Sequence, residues 1–189
     1  MGFFDGIQLE REPEPEFAPL PPAASWVKPE LEVPASLAVD VVLARTEAAA
    51  VVLADIRVYS NGFEFLVCQF YRDAETPAAF GRRRRRWERG AELRVGIGYP
   101  DGRVAASPQS PPSPYEEANP GALVMAPREG GGGGRHYQTR YWVWPLPPPG
   151  AVTFVCDWAE VGIDESTANL DGEQITAASL RAVRLWPEA

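Results

Sequence analysis

The stretch "VVLADIRVYSNGFEFLVCQFY", Val51 to Tyr71, decides the fold class. Val51 to Tyr59 and Phe63 to Tyr71 are runs of β-branched and aromatic residues, which favour β-strands. Asn61-Gly62 lies between the two runs, and this dipeptide favours a type I′ turn because both of its residues tolerate a positive φ. The stretch therefore predicts a β-hairpin.

Short apolar runs of the same kind recur on both sides of this hairpin, broken by Gly, Pro, Asn and Asp, which is typical of a sandwich or barrel. A second hairpin is predicted at Pro100-Asp101-Gly102, where proline presets one dihedral and glycine accepts a positive φ. Further strands are predicted at 37–43, 122–125, 137–144 and 152–158. We therefore predict an all-β protein, a β-sandwich of about seven to nine mostly antiparallel strands in residues 36–189.

The two ends of the chain differ from this pattern. The segment "NLDGEQITAASLRAVRLWPEA" predicts one C-terminal helix over 171–186, with Asp171 as its N-cap and Pro187 as its stop. Residues 1–35 contain "EREPEPE" and "PLPP", which predict an acidic, proline-rich, extended N-terminal arm. Large apolar side chains such as Trp26 favour docking of this arm on its own domain or on a neighbour.

Composition restricts the possible partners and the compartment. The net charge of -8 argues against nucleic acid, because binding a polyanion depends on clustered cations. No export signal and no apolar run of roughly 18 residues is present, so a cytoplasmic protein without a membrane partner is predicted. Cys68 and Cys156 are expected to be free, buried thiols, with a cross-sheet disulfide as the alternative.

The glycine-rich stretch "EGGGGGRHYQTRYWVWPLPPPG", Glu129 to Gly150, raises the question of a phosphate loop. Such a loop needs a Lys and a Ser or Thr that open a helix, whereas this run leads into Arg135 and a predicted strand. We therefore expect a mobile hairpin connection. His136 is the only imidazole, so any histidine-dependent catalysis must use it, and its position at a loop edge favours a solvent-exposed side chain.

Aromatic residues in the same stretch are candidate ligand contacts. Alternation predicts that Trp142 and Trp144 share one face of a strand. They either pack in the core or at an interface, which is the favoured interpretation, or form a platform on which sugar rings stack. The "PLPPP" segment that follows is either a polyproline ligand or, more simply, a rigid turn.

The segment "GRRRRRWERG" is the one strongly basic part of the chain. Three interpretations stand: a grip for phosphate or an acidic partner, a solvated loop, or a partner for the acidic arm. The candidate contacts are Arg82, Arg83, Arg84, Arg85, Arg86 and Trp87.

Catalytic and metal-binding patterns are weak. Paired carboxylates can hydrolyse glycosides, but acids in a loop after a strand are commoner than a catalytic pair. The acids concerned are Asp157, Glu160, Asp164 and Glu165. Two distant cysteines and one histidine do not form the local ligand pairs of a zinc site. No cofactor is predicted.

The combination of "NGFEF", five glycines before "RHYQTRYWVWPLPPPG", and "TFVCDW" resembles a family of uncharacterised all-β proteins from GC-rich bacteria. The resemblance covers residues 37–187 and implies no activity and no catalytic residues. We therefore predict a non-catalytic interaction or scaffold module that binds a protein partner or itself, through the arm or the aromatic-proline hairpin. The alternatives are a carbohydrate-binding sandwich that uses Trp142 and Trp144 and, less favoured, a hydrolase that uses Asp157 and Glu160 or His136.

Overall fold

A computed structural model describes residues 22–73, 93–108 and 110–186. Within these ranges the chain forms eleven strands and one α-helix, which confirms the predicted all-β fold with one helix. The strands are β1 (Glu32–Val33), β2 (Ala35–Arg45), β3 (Ala49–Val58), β4 (Phe63–Tyr71), β5 (Arg94–Gly98), β6 (Val104–Ser107), β7 (Val124–Gly133), β8 (His136–Trp144), β9 (Ala151–Trp158), β10 (Ile163–Asp171) and β11 (Val183–Arg184). The helix, α1, spans Gly172–Ser179 and lies between β10 and β11.

Two antiparallel sheets pack face to face and enclose the core. One has five strands in the order β2-β3-β4-β8-β7, and the other has four in the order β10-β9-β5-β6. Their inward side chains are apolar, since alternate residues of β4, β8 and β9 point between the sheets. Phe65 illustrates the packing: its ring stacks on Tyr141 with centroids 5.3 Å apart and meets Phe154 edge-on at 5.1 Å.

Both predicted hairpins are present, but the turn type of the first was wrong. Neither Asn61 nor Gly62 has a positive φ, and the turn is closed by the Tyr59 N–H, which donates to the Gly62 carbonyl at 2.8 Å. Gly62 is needed for space, because a Cβ there would lie 2.6 Å from the Trp142 ring. The second turn forms as expected around Gly102, whose φ is 88°.

The prediction of a mobile glycine connection was wrong. Gly130 to Gly133 belong to β7 and pair with β8 between Thr139 and His136. A side chain at Gly132 would place its Cβ 2.6 Å from the Tyr137 Cα, and one at Gly130 would lie 2.8 Å from the Tyr137 hydroxyl. The glycines therefore let Tyr137 lie close over an edge strand.

The C-terminal helix is shorter than predicted. Asp171 is its N-cap, as expected, and accepts a hydrogen bond from the Glu173 N–H at 2.9 Å. The helix ends at Ser179, and Val183–Arg184 form β11 in place of helical turns. The strand β10 before the helix was not predicted. Cys68 and Cys156 are both buried and free, as expected.

Candidate interaction surface

The strands β1 and β11 form a separate two-stranded antiparallel sheet, here called the terminal ribbon. Glu32 lies opposite Arg184, and Val33 lies opposite Val183. The Leu185 N–H donates to the Leu31 carbonyl at 3.0 Å and extends the pairing by one residue on each strand. The terminal ribbon thus comprises 31–33 and 183–185, the end of the predicted arm joined to the segment after α1.

One face of the terminal ribbon is apolar and exposed. Residues two apart on a strand share a face, and so do directly opposed residues of paired strands. This rule places Leu31, Val33, Val183 and Leu185 together, and their exposed fractions range from 48% to 57%. We call these four side chains the ribbon surface. Trp186, which is 64% exposed, follows at the alternate position that it shares with Arg184.

The other face of the terminal ribbon carries the charges and turns toward the sandwich. The Glu32 carboxylate accepts hydrogen bonds from the Ser60 N–H and the Ser60 hydroxyl, both at 2.7 Å. Ser60 lies in the turn between β3 and β4. The Glu32 side chain therefore faces the protein and the four apolar side chains face solvent, which is the reverse of the usual arrangement of a sheet on a core.

The ribbon surface is comparable in size to the largest apolar patch of a typical monomer, and such patches are often functional. Its four side chains, exposed to this degree, amount to on the order of 350 Å². Single exposed apolar residues need no explanation, but a contiguous set on one face marks an interaction site.

A second group of residues fixes the arm just before the terminal ribbon, and we call it the tryptophan anchor. Its buried members are Ala24, Trp26, Tyr59, Val124 and Trp142. The Trp142 Nε1–H donates to the Trp26 carbonyl at 2.7 Å, and the Trp26 Nε1–H donates to the Glu116 carbonyl at 2.9 Å. Both indoles are therefore buried with their polar atoms bonded.

A buried carboxylate lies beside the tryptophan anchor. Glu64 points to the outer face of β4 and is almost fully buried. Lys28 Nζ lies 3.0 Å from its Oε1, and the Tyr59 hydroxyl donates to its Oε2 at 3.3 Å. Burial and the neighbouring Glu64 charge raise the pKa of Tyr59 to about 12. The ion pair ties Lys28 of the arm to the five-stranded sheet.

The turn between β3 and β4 adds a further tie. The Asn61 side-chain amide donates to the carbonyl oxygens of Ser25 and Val27 at 2.9 and 3.0 Å. With the Glu32–Ser60 bonds, the same turn holds both the anchored part of the arm and the terminal ribbon. The ribbon surface is therefore presented in one orientation.

The predicted aromatic platform is placed differently from the expectation. Trp142 is completely buried in the tryptophan anchor, so it offers no exposed face to a sugar ring. Trp144 shares its face, as alternation predicted, and is half-buried against the same cluster. Their indoles pack at the place where the arm contacts the five-stranded sheet.

His136 is the first residue of β8, so the expectation of an exposed loop histidine was wrong. Its ring is half-buried and stacks on Phe70 with centroids 4.7 Å apart. An open cleft of about 350 Å³ adjoins Phe70 and includes Arg45, Glu47 and Arg72 in its lining. Within this lining Glu47 forms an ion pair with Arg72, so its carboxylate offsets part of the positive charge that Arg45 and Arg72 give the cleft.

The remaining predicted site residues are dispersed. Arg82, Arg83, Arg84, Arg85, Arg86 and Trp87 lie outside the described residues, so their role stays a prediction. Asp157 is held by Arg94, with Nη2 and Oδ2 2.7 Å apart. Asp164 and Glu165 lie in β10, so the expectation that they are loop acids was wrong.

The described ranges contain neither a cluster of metal ligands nor a helix long enough to cross a membrane. No group of three or more His, Cys, Asp and Glu side chains there could hold a metal ion. The only α-helix in those ranges, α1, is too short to cross a membrane.

Comparison with known proteins gives no relative: the chain matches no protein-family model, no curated protein and no solved structure. The resemblance noted from sequence therefore stays a prediction.

Sequence reasoning missed the terminal ribbon, although a signal for it exists. "LEV" at 31–33 and "VRL" at 183–185 are both apolar-charged-apolar, and their central charges are opposite. Two such triplets match an antiparallel pair with one apolar face and one charged pair. Their wide separation in the chain hid the match.

Proposed function

We propose that this protein is a non-catalytic interaction module that binds another protein through the ribbon surface. The observation that carries the proposal is the orientation of the terminal ribbon. Its charged face is bonded to the sandwich through Glu32, while Leu31, Val33, Val183 and Leu185 face solvent. A sheet face of this kind gains its stabilisation only when a partner covers it.

The size of that gain supports a specific contact. Burying a Val or Leu side chain completely stabilises by about 1.5 to 3 kcal/mol, so each half-exposed residue of the ribbon surface can still contribute about 1 kcal/mol. Four such residues can form the apolar centre of a small interface.

The rigid mounting of the terminal ribbon also supports binding. Ordering a loop or arm when it binds costs free energy, and a surface already held in place avoids most of that cost. Here the tryptophan anchor and the Lys28–Glu64 pair hold the arm before any partner arrives.

The side chains considered for catalysis have structural contacts, which favours interaction over hydrolysis. Asp157 is bound by Arg94, and His136 is stacked on Phe70. The indole of Trp142 is enclosed, which leaves the saccharide alternative without the residue it needed.

Site-specific photo-crosslinking in cells tests the proposal. A photo-reactive amino acid at Leu185 should give a discrete protein adduct, because Leu185 lies in the ribbon surface. The same amino acid at Val104 is the matched control, since Val104 is 76% exposed and apolar but lies on β6, outside the terminal ribbon. An adduct from both positions, or from neither, would contradict the proposal.

A further inference from the structure

We infer that the glycine-rich edge of β7 is a strand-accepting site, and that it pairs with residues 7–12 of the same chain, "IQLERE". This edge is separate from the ribbon surface and serves a different contact. Three features support it: an open backbone at 130–133, a glycine that the described residues do not explain, and the place where the arm attaches.

The second half of β7 is an open sheet edge. Among the described strands, β7 is last in its sheet and pairs with β8 alone. Natural edges are usually blunted by proline, charge or a bulge, because a free row of N–H and C=O groups can pair with another strand. The first half of β7 has such features, namely Pro127 and the bulge that follows it. Residues 130–133 pair with β8 in unbroken register and have no side chains, so they form a template for a further strand.

The hairpin turn fixes which backbone groups of this edge point outward. Gly133 closes the two-residue turn at 134–135. Residues that flank such a turn bond to each other, and bonded pairs then alternate along the ladder. Gly131 and Gly133 therefore bond to β8, whereas the N–H and C=O groups of Gly130 and Gly132 point away from it.

Gly131 has no explanation within the described residues. A Cβ at Gly130 or Gly132 would lie 2.8 or 2.6 Å from an atom of Tyr137, so packing requires glycine at both positions. A Cβ at Gly131 would meet no atom of the described chain within 4 Å, and the φ of Gly131 is not positive. Glycine inside a strand costs stability and often marks a place where another backbone comes close. The missing side chain therefore favours a contact from outside the described residues.

Residues 7–12 have the pattern of a strand that suits this edge. Their side chains alternate, with Ile7 and Leu9 on one face and polar side chains on the other. The segment begins after the turn signal Asp5-Gly6 and ends before the first proline of the chain. Its apolar face can cover Tyr137, which is half-buried and leans over the glycines.

The arm attaches beside the start of β7, which puts this segment within reach. Ala24 belongs to the same buried cluster as Val124, the first residue of β7. From there to 130–133 the strand extends six to nine residues, about 20 to 30 Å at about 3.3 Å per residue. Residues 13–22 contain five prolines, which favour an extended chain, so these ten residues span about 31 Å. A tether of this length holds the segment at an effective concentration on the order of 1 mM.

The charges of the edge and of the segment are opposite in sign. Arg128 on β7 and Arg135 in the turn are both exposed, and β7 has one acid, Glu129. The segment has two acids, Glu10 and Glu12, and a single arginine. A net positive edge therefore meets a net negative strand, which favours their association.

Amide hydrogen exchange of the full chain, followed residue by residue by NMR, tests the inference. Gly130 and Gly132 should be protected, because their outward N–H groups donate to the added strand. Deleting residues 1–12 should raise their exchange rates at least about 10-fold. Gly131 and Gly133 are the internal control, since they donate to β8 in either case, and their rates should change by less than about 3-fold.

A point variant tests the segment without shortening the chain. Leu9→Pro removes a ladder donor and prevents regular pairing, so it should expose Gly130 and Gly132 to exchange as the deletion does. Ala18→Pro is the matched control, because it adds a proline where the chain is already rich in proline. It should leave both exchange rates within about 2-fold of the original values.

Three results would overturn the inference. The first is rapid exchange of Gly130 and Gly132 in the full chain, and the second is protection that survives the deletion. The third is protection that disappears on dilution from about 1 mM to about 10 μM, which would assign the edge to a second copy, since a tethered strand does not respond to dilution. None of the variants changes the ribbon surface, so the Leu185 crosslink reports on the proposed function independently.

Discussion

The arm meets the sandwich at two places only a few residues apart, and the two contacts are opposite in character. At the tryptophan anchor, Trp26 is buried against Trp142 and both indole N–H groups donate to carbonyl oxygens. At the terminal ribbon, the charged Glu32 faces the protein and Leu31 and Val33 face solvent. Within one short segment, an apolar side chain is therefore buried at the tryptophan anchor, and two others are exposed at the terminal ribbon.

The difference separates two demands on the sequence. The tryptophan anchor follows the rules of a folded core, in which apolar area is removed from water and polar groups are bonded. The terminal ribbon breaks the first of these rules, although the chain had the side chains needed to obey it. We take the anchor to serve stability and the ribbon surface to serve binding, and the predictions below test that division.

The largest effect is expected at the tryptophan anchor. Trp26→Ala should lower the free energy of unfolding by about 3 to 5 kcal/mol, because it removes a buried indole and leaves a cavity against Trp142. Trp186→Ala is the control, since Trp186 is exposed, and it should change stability by less than about 0.5 kcal/mol. Chemical denaturation measures both. Equal losses would remove the distinction between the two regions.

A smaller loss is expected at the ion pair. Lys28→Met should lower the free energy of unfolding by about 2 to 3 kcal/mol, because it leaves the buried Glu64 carboxylate without its cation. Adding Glu64→Gln to this variant should recover part of the loss, since the amide carries no charge. A double-mutant cycle from denaturation curves gives the coupling, and a coupling near zero would show that the pair does not hold the arm.

A pH effect is expected from Tyr59. Its folded pKa of about 12 lies above the unfolded value near 10, so the folded protein retains a proton that the unfolded chain loses. This contribution is fully present below pH 10 and is lost as the pH rises toward 12. Between pH 9 and pH 11 the original chain should lose about 1 to 2 kcal/mol more stability than Tyr59→Phe. Denaturation at each pH measures the free energy of unfolding of both proteins. Equal losses of stability in the two would argue against a buried Tyr59 hydroxyl.

The smallest effect on stability is expected at the ribbon surface. Val33→Thr and Val183→Thr keep the β-branched shape and should each change the free energy of unfolding by less than about 0.5 kcal/mol. The same substitutions should reduce the yield of the Leu185 crosslink, because they add a hydroxyl to an apolar contact. A large loss of stability from either change would show that the terminal ribbon belongs to the folded core.

The parts of the fold that follow from the sequence are those with local patterns. Both ends of the strand Phe63–Tyr71 were predicted correctly, because turn residues and aromatic residues mark its limits. Tyr137 to Trp144 was predicted as a strand by a period of two, and its two faces were assigned as the structure has them. The Pro100-Asp101-Gly102 turn followed from the chemistry of its own residues.

The parts that were missed depend on contacts distant in sequence. β10 has the sequence "IDESTANLD", which has few apolar residues, and it is a strand because it pairs with β9 at the edge of a sheet. Gly130–Gly133 have low strand propensity and are extended because β8 pairs with them. The helix was predicted too long because Val183–Arg184 pair with Glu32–Val33, which overrides the local helical period.

The candidate site was the least predictable part for the same reason. Its two halves lie near the two ends of the chain, and each half alone is a short triplet with no strand signal. The sequence indicated Trp142 and Trp144 as ligand contacts because aromatic side chains can stack on sugar rings. In the structure both residues pack in the tryptophan anchor, where they hold the arm. The sequence also indicated the arm as a route to a partner, which stays a prediction, but the pairing that forms the ribbon surface was not visible from it.

The pairing of Val33 with Val183 has a consequence for protein synthesis. A ribosome makes the first strand of the terminal ribbon early and the second only after nearly all of the described chain has emerged. A nascent chain that has not yet reached residue 183 lacks β11 and therefore two of the four side chains of the ribbon surface. On the proposed function, binding through this surface would thus begin only after residues 183–185 have been synthesised.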